Sequence, residues 1–242
     1  MKNFKQVFFL MAMAVAVMAS GCDKLEEDGT KGGDTSTPFV IQATVSTGGV
    51  AVDTVKAFIW QYDEATDTES SFEVASGVYK NGGFTLNLPA TVPAQYLQFW
   101  GENVPDGINI SDSNAKGASL GDIEAYKGTE RVGEFEQWVR INANTEIRSQ
   151  FMYVDRDVTI TGSYTEKYGD WIETEIDNLS LKKGWNKVYV KHVESEINKT
   201  STTEVTNTEP GGLQWHFEND WYDVQPQAAK SVAKRRIFSF FK

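Results

Sequence analysis

Two histidines, His192 and His216, are the only imidazoles in this 242-residue chain, and each stands beside aromatic residues in a run that reads as a strand. Neutral imidazole is the commonest transition-metal ligand, so two on opposed strands could clamp a haem iron or hold a metal ion from both sides. The only cysteine is Cys22, so a structural zinc site would need carboxylates to complete it. Ser119 lies in GASLG (Gly117 to Gly121), which has the G-x-S-x-G spacing of a nucleophile elbow and raises a hydrolase reading. An elbow needs a strand ending and a helix beginning at the serine, because the strained turn between them projects the hydroxyl. The preceding SDSNAK reads as a polar loop, and no strand-helix alternation occurs along the chain. Asp112, Asn114 and Gly117 fall at EF-hand positions, yet Lys116 stands where an oxygen ligand belongs and Ile123 where calcium needs a bidentate carboxylate. The acidic turn with Asp63, Glu64, Asp67 and Glu69 is a looser calcium candidate.

Aromatic side chains offer a different chemistry. Tryptophan occurs seven times, at 60, 100, 138, 171, 185, 215 and 221. In a β-domain most indoles belong to the core, but one exposed beside Asp, Asn or Glu can stack on a sugar ring while its neighbours bind the hydroxyls. Trp171, Trp221 and Tyr222 have polar neighbours and are the expected ligand-binding aromatics, the last two within HFENDWYD (216 to 223). The expected activity is therefore binding, without catalysis and without a cofactor. The alternatives are a haem or metal carrier using His192 and His216, and a hydrolase using Ser119 or loop carboxylates.

Strands are the elements that must position these groups. Phe39, Ile41, Ala43 and Val45 alternate with polar or smaller residues, as do the residues of VKAFIWQYDE (55 to 64) and FTLNL (84 to 88), the latter behind the turn signal NGG (81 to 83). YLQFW (96 to 100), EFEQWVRI (134 to 141), RSQFMYVDRDVTITGSYT (148 to 165), WIETEIDNLSL (171 to 181), NKVYVKHV (186 to 193) and GGLQWHF (211 to 217) continue the strand pattern. Residues 102 to 132 read as a long polar, Gly-rich loop or small helical excursion, and Gly184 in KKGW as the turn of a hairpin joining 171–181 to 186–193. Many short strands with turns between them imply a mainly β chain, an antiparallel β-sandwich over 38–225.

The N-terminus has its own logic. Lys2 and Lys5 precede twelve apolar residues, Val7 to Met18, which as a helix span only ~18 Å, short of the ~30 Å hydrocarbon core. With the small residues Ala19, Ser20 and Gly21, this order reads as an export signal over residues 1–21. ASGC resembles the lipobox of bacterial lipoproteins, which implies cleavage before Cys22 and its acylation. Two or three acyl chains, at ~0.8 kcal/mol per buried methylene, hold a protein stably on a membrane. Residues 22–37 are charged and rich in Gly, Ser and Thr, and so read as a flexible tether. Loss of residues 1–21 removes Lys2 and Lys5 and takes the net charge from -11 to -13, which disfavours nucleic acid as a partner. The reading instead implies a membrane contact through the lipid, with a glycan or another envelope protein as partner. The C-terminal segment 226–242 is basic and apolar, suited to docking on the sheet, touching a membrane or recruiting a partner.

DVTITGSY (157 to 164), LSLKKGWNKVYV (179 to 190) and GGLQWHF (211 to 217), behind the lipobox and tether, resemble envelope lipoproteins of the Bacteroidota. The resemblance implies a lipid-anchored protein of the outer membrane, with the acidic leader Asp23 to Asp28 similar to the sequence that directs such proteins to the cell surface. It also implies that Thr54, in DTV, matches an O-glycosylation sequon of that lineage.

Overall fold

Asn81 and Gly82 both take left-handed backbone angles, at φ 54° and 76°, and Lys80 and Gly83 exchange backbone hydrogen bonds across them. This is the two-residue hairpin turn that NGG predicts. The computed structural model describes residues 38–47, 51–63, 68–101 and 104–219. Its strands are β1 Phe39–Thr47, β2 Thr54–Asp63, β3 Thr68–Val78, β4 Gly83–Leu88, β5 Gln98–Phe99, β6 Ile108–Ile110 and β7 Lys116–Lys127. They continue with β8 Glu130–Asn142, β9 Thr145–Val154, β10 Val158–Tyr168, β11 Trp171–Leu181, β12 Gly184–Ser195, β13 Thr200–Thr206 and β14 Gln214–Asn219. A single 3-10 turn, Ala94–Tyr96, is the only helical element among the described residues. The chain is mainly β, as its period-two alternation predicts.

All fourteen strands join one hydrogen-bonded network in the order β4-β1-β14-β8-β7-β9-β12-β13-β11-β10-β6, with β2 on β7, β3 on β2 and β5 on β7. Most pairings are antiparallel, but β1–β14 and β11–β13 run parallel, so the sheet is mixed. The β1–β4 ribbon lies over one face of the rest, its Ile41, Phe84, Leu86 and Leu88 packed against Val55, Ile59, Leu120, Ile123, Phe135 and Trp215. A second core forms on the opposite face at the other end of the sheet. There Met152, Ile160, Leu179, Val188 and Val205 are buried together with Trp100 and Ile108. Side chains alternate between faces along every strand, so the sheet is apolar on its ribbon face at one end and on its far face at the other.

Two expectations about local structure are corrected. Residues 102–132 are not a long loop, since they contain β6, the whole of β7 and the start of β8. β7 escapes a reading by β-propensity because it is built from Gly and Ala rather than branched residues, and packing demands this. A Cβ on Gly117 would lie 2.0 Å from the Trp100 ring, and one on Gly121 would lie 2.3 Å from Trp60. Both indoles therefore rest directly on the backbone of β7.

The second correction concerns KKGW. Gly184 does take a positive φ of 102°, but β11 and β12 are not paired, because β13 inserts between them. The corner is held open by side chains rather than by a ladder. Asn186 accepts from the Lys182 amide at 2.8 Å and donates to the Lys182 carbonyl at 2.7 Å, while Asp157 accepts from the Lys183 amide at 2.9 Å. The two strands diverge from this corner, and the Thr-rich β13 fills the gap.

Candidate ligand face

The far face of the sheet carries a row of polar residues that crosses six strands in register. Arg140 on β8 stands opposite Glu146 on β9, which is opposite His192 on β12; Thr203 on β13, Glu175 on β11 and Tyr164 on β10 complete it. Its members are bonded to one another. Arg140 donates to Glu146 at 3.0 Å, the Tyr164 hydroxyl donates to Glu175 at 3.0 Å, and His192 Nδ1 lies 3.4 Å from the Thr203 hydroxyl.

One step along the strands lies a mixed row: Trp138, Arg148, Val190, Val205, Asp177 and Gly162. Beyond it comes the apolar cluster with Val188, Leu179 and Ile160. The guanidinium of Arg148 bridges Glu136 and Glu146. Burial works against its charge, but the two carboxylates more than offset this and hold its pKa above the ordinary value. Asp177 is different. It is 2% exposed, and among the described residues neither carboxylate oxygen has a hydrogen-bond partner. Burial alone pushes its pKa up to about 7.

Towards β2 the same face carries Glu124 and Glu134, both buried, with Arg131 Nε 3.1 Å from Glu124 and its Nη2 3.3 Å from Glu134. Burial and the hydrogen bond that Tyr126 donates to Glu124 push that phenol up to about 12. Next to this group Trp60 lies over Gly121, 45% exposed, with Phe58 tilted beside it at 6.3 Å and the exposed Asp122 following Gly121.

The two histidines do not converge. His216 stands opposite Glu136 on β8, while the His192 row crosses β8 at Arg140, four residues away. Three strand spacings and four residues separate them by about 14 Å across the sheet and about 13 Å along it. Both lie on one face of one sheet, so they do not oppose each other across an ion. His216 stacks on Trp138 with ring centroids 4.1 Å apart, and His192 Nε2 lies 3.7 Å from Glu194. Among the described residues no group of three His, Cys, Asp or Glu side chains could hold a metal ion.

Ser119 lies within β7, opposite Met152 of β9, and the strand runs on to Lys127 without a helix, so the elbow geometry is absent there. Asp112 caps a turn: its Oδ1 accepts from the Asn114 amide at 2.8 Å and its Oδ2 from Arg156 at 3.2 Å, which together hold its pKa below the usual value. Thr54 opens β2, with backbone partners on β3 and β7. Trp171 opens β11 opposite Tyr168, half-buried, with the Lys199 ammonium 5.1 Å from its ring centroid. Trp100, Trp185 and Trp215 are core, as expected of most indoles. Cys22, Trp221, Tyr222, Glu64, Asp67 and the segment 226–242 lie outside the described residues.

Sequence reading missed the Arg148 bridge, Asp177 and the prominence of Trp60. The first depends on long-range register and has no local signal. Asp177 did have one, because in WIETEIDNLSL it shares its strand parity with Leu179 and Leu181 and must point inward with them. No protein family matches this chain, and no curated protein or solved structure is significantly similar to it.

Proposed function

We propose that this chain is a lipid-anchored envelope lipoprotein, held in the outer membrane through Cys22 and displayed at the cell surface, which acts as a non-enzymatic binding module. Its ligand is a glycan or a carbohydrate-bearing envelope partner, taken on the far face of the sheet.

The observation that carries this reading is Trp60. Its indole is 45% exposed on a strand with the Phe58 ring 6.3 Å away, an aromatic surface that a ligand can cover. It lies close against the backbone of Gly121, with the exposed Asp122 next to that glycine in sequence. An exposed π-face presents negative potential to the polarised C–H bonds of a sugar, and neighbouring carboxylates accept from hydroxyls. Trp171, half-buried at the tip of the β10–β11 hairpin with Glu173 two residues on, offers a second indole on the same face. A catalytic reading finds less support in the same face, whose carboxylates are mostly engaged with arginine or tyrosine.

The test is a glycan panel probed with the full chain, paired with capture from an envelope extract before and after enzymatic removal of glycans. Saturable capture that deglycosylation abolishes is the expected result. Capture indifferent to deglycosylation, with no glycan bound, would overturn the carbohydrate reading.

A further inference from the structure

Among the described residues of the far face, Asp177 is a buried carboxylate with neither oxygen hydrogen-bonded. An ionised carboxylate taken out of water is costly unless a cation or several donors compensate it. Its register neighbours are Gly162 on β10 and Val205 on β13, neither of which has a polar side chain. Leu179 lies on its core side and Glu175 on the other, followed by Glu173 and Trp171 towards the hairpin tip. Burial relaxes in that direction, from 2% exposure at Asp177 and 7% at Glu175 to half-buried at Glu173 and Trp171. The carboxylates therefore line one strand face at successive side-chain steps of about 7 Å, leading inward from an open end.

We propose that Asp177, with Glu175 and Glu173 leading to it, is the floor of a site for one alkylammonium or guanidinium side chain. A metal ion fits less well, since no three ligating side chains converge among the described residues, and an anion is excluded by charge. A lysine or arginine can lay its methylenes along apolar surface while its charged end reaches inward. The hydrogen bond from Tyr164 to Glu175 stands over the approach and has to part for entry. Two sources could supply the cation. The chain itself carries five basic residues and no acidic one from Val224 onward, namely Lys230, Lys234, Arg235, Arg236 and Lys242; the other source is a basic peptide of a partner. The site lies on the same face as Trp60 but does not depend on a glycan binding there.

Because the acceptor is itself titratable, binding must weaken as Asp177 takes up a proton. The ionisable groups facing it are Glu175 and Glu173 on its own strand, Tyr164 and Glu166 on β10, and, beyond β13, His192 and Glu194 on β12; β13 presents Ser201, Thr203 and Val205 there. The experiment follows the Asp177 side-chain carboxyl carbon by NMR in the full chain through a pH titration. It is run with n-butylammonium chloride, with arginine amide, and with sodium chloride at matched ionic strength. Either organic cation is expected to lower the Asp177 midpoint by about one pH unit or more relative to sodium, a tenfold change in proton affinity. Asp177→Asn is expected to weaken probe binding at least tenfold while leaving the Trp60 signals unchanged. Replacing Lys230, Lys234, Arg235 and Arg236 together by Gln separates the sources. A midpoint that rises without probe identifies the chain's own segment as the occupant, and one that stays put while the probes still bind excludes that segment and leaves a cation supplied from outside the chain. A midpoint indifferent to both probes and to that replacement, or equal probe binding by Asp177→Asn, would overturn the proposal. The midpoint shift is read in the unsubstituted protein, so it holds whether or not the variants fold.

Discussion

Asp177 binds its proton more tightly in the folded chain than in the unfolded one, where its pKa is near 3.8, because burial raises it to about 7. Its protonated form therefore favours the folded state fully below pH 3.8, and that advantage is lost as pH rises to about 7. The loss amounts to up to roughly 4 kcal/mol across that interval. Asp177→Asn should remove this slope: denaturant unfolding at pH 8 should show the variant more stable than the parent, and at pH 4 the two should converge. Arg148 makes the opposite case, since its charge is already matched. Arg148→Met leaves Glu136 and Glu146 facing each other partly buried, and should cost about 2–4 kcal/mol in the same assay. Neither role was open to composition alone. The parity of Asp177 with Leu179 can be read along one strand, whereas the Arg148 bridge depends on β8 and β9 meeting in a particular register.

At the scale of elements, β7 shows why a motif misleads when its context is unknown. GASLG matches a catalytic spacing, yet its two glycines are there to receive indoles, Trp100 on Gly117 and Trp60 on Gly121. The two sites should respond differently to the same substitution. Trp100 is buried and cannot yield, and a Cβ at Gly117 would also come within 2.7 Å of the Tyr153 carbonyl. Gly117→Ala should therefore cost about 2–3 kcal/mol in thermal or denaturant unfolding. Trp60 is half-exposed and can swing away, so Gly121→Ala should cost about 1 kcal/mol or less in stability while impairing ligand binding. The NGG turn and the alternation of β1, β4 and β11 were legible because they rest on local geometry. Pairings such as β1 with β14 and β11 with β13 were not, since they join segments far apart in sequence and follow from how the two cores close.

For the whole molecule, the mainly β character follows from alternation that persists through most of the described chain, and it positions a charged, aromatic-bearing face on the side of the sheet away from the ribbon. The proposed attachment is a separate matter and rests on the lipobox-like ASGC before the fold. Cys22→Ala should abolish incorporation of labelled palmitate and move the protein from the membrane fraction to the soluble one, whereas retention without label would contradict anchoring by this cysteine. Ligand binding by the far face through Trp60 and Trp171 is tested by comparing two proteins. The full chain and its Trp60→Ala, Trp171→Ala double variant are titrated side by side with the glycan or deglycosylation-sensitive partner that the parent captures. At least a tenfold loss of affinity in the double variant with an unchanged unfolding midpoint is expected, and equal affinity in the two proteins would rule out binding through these indoles.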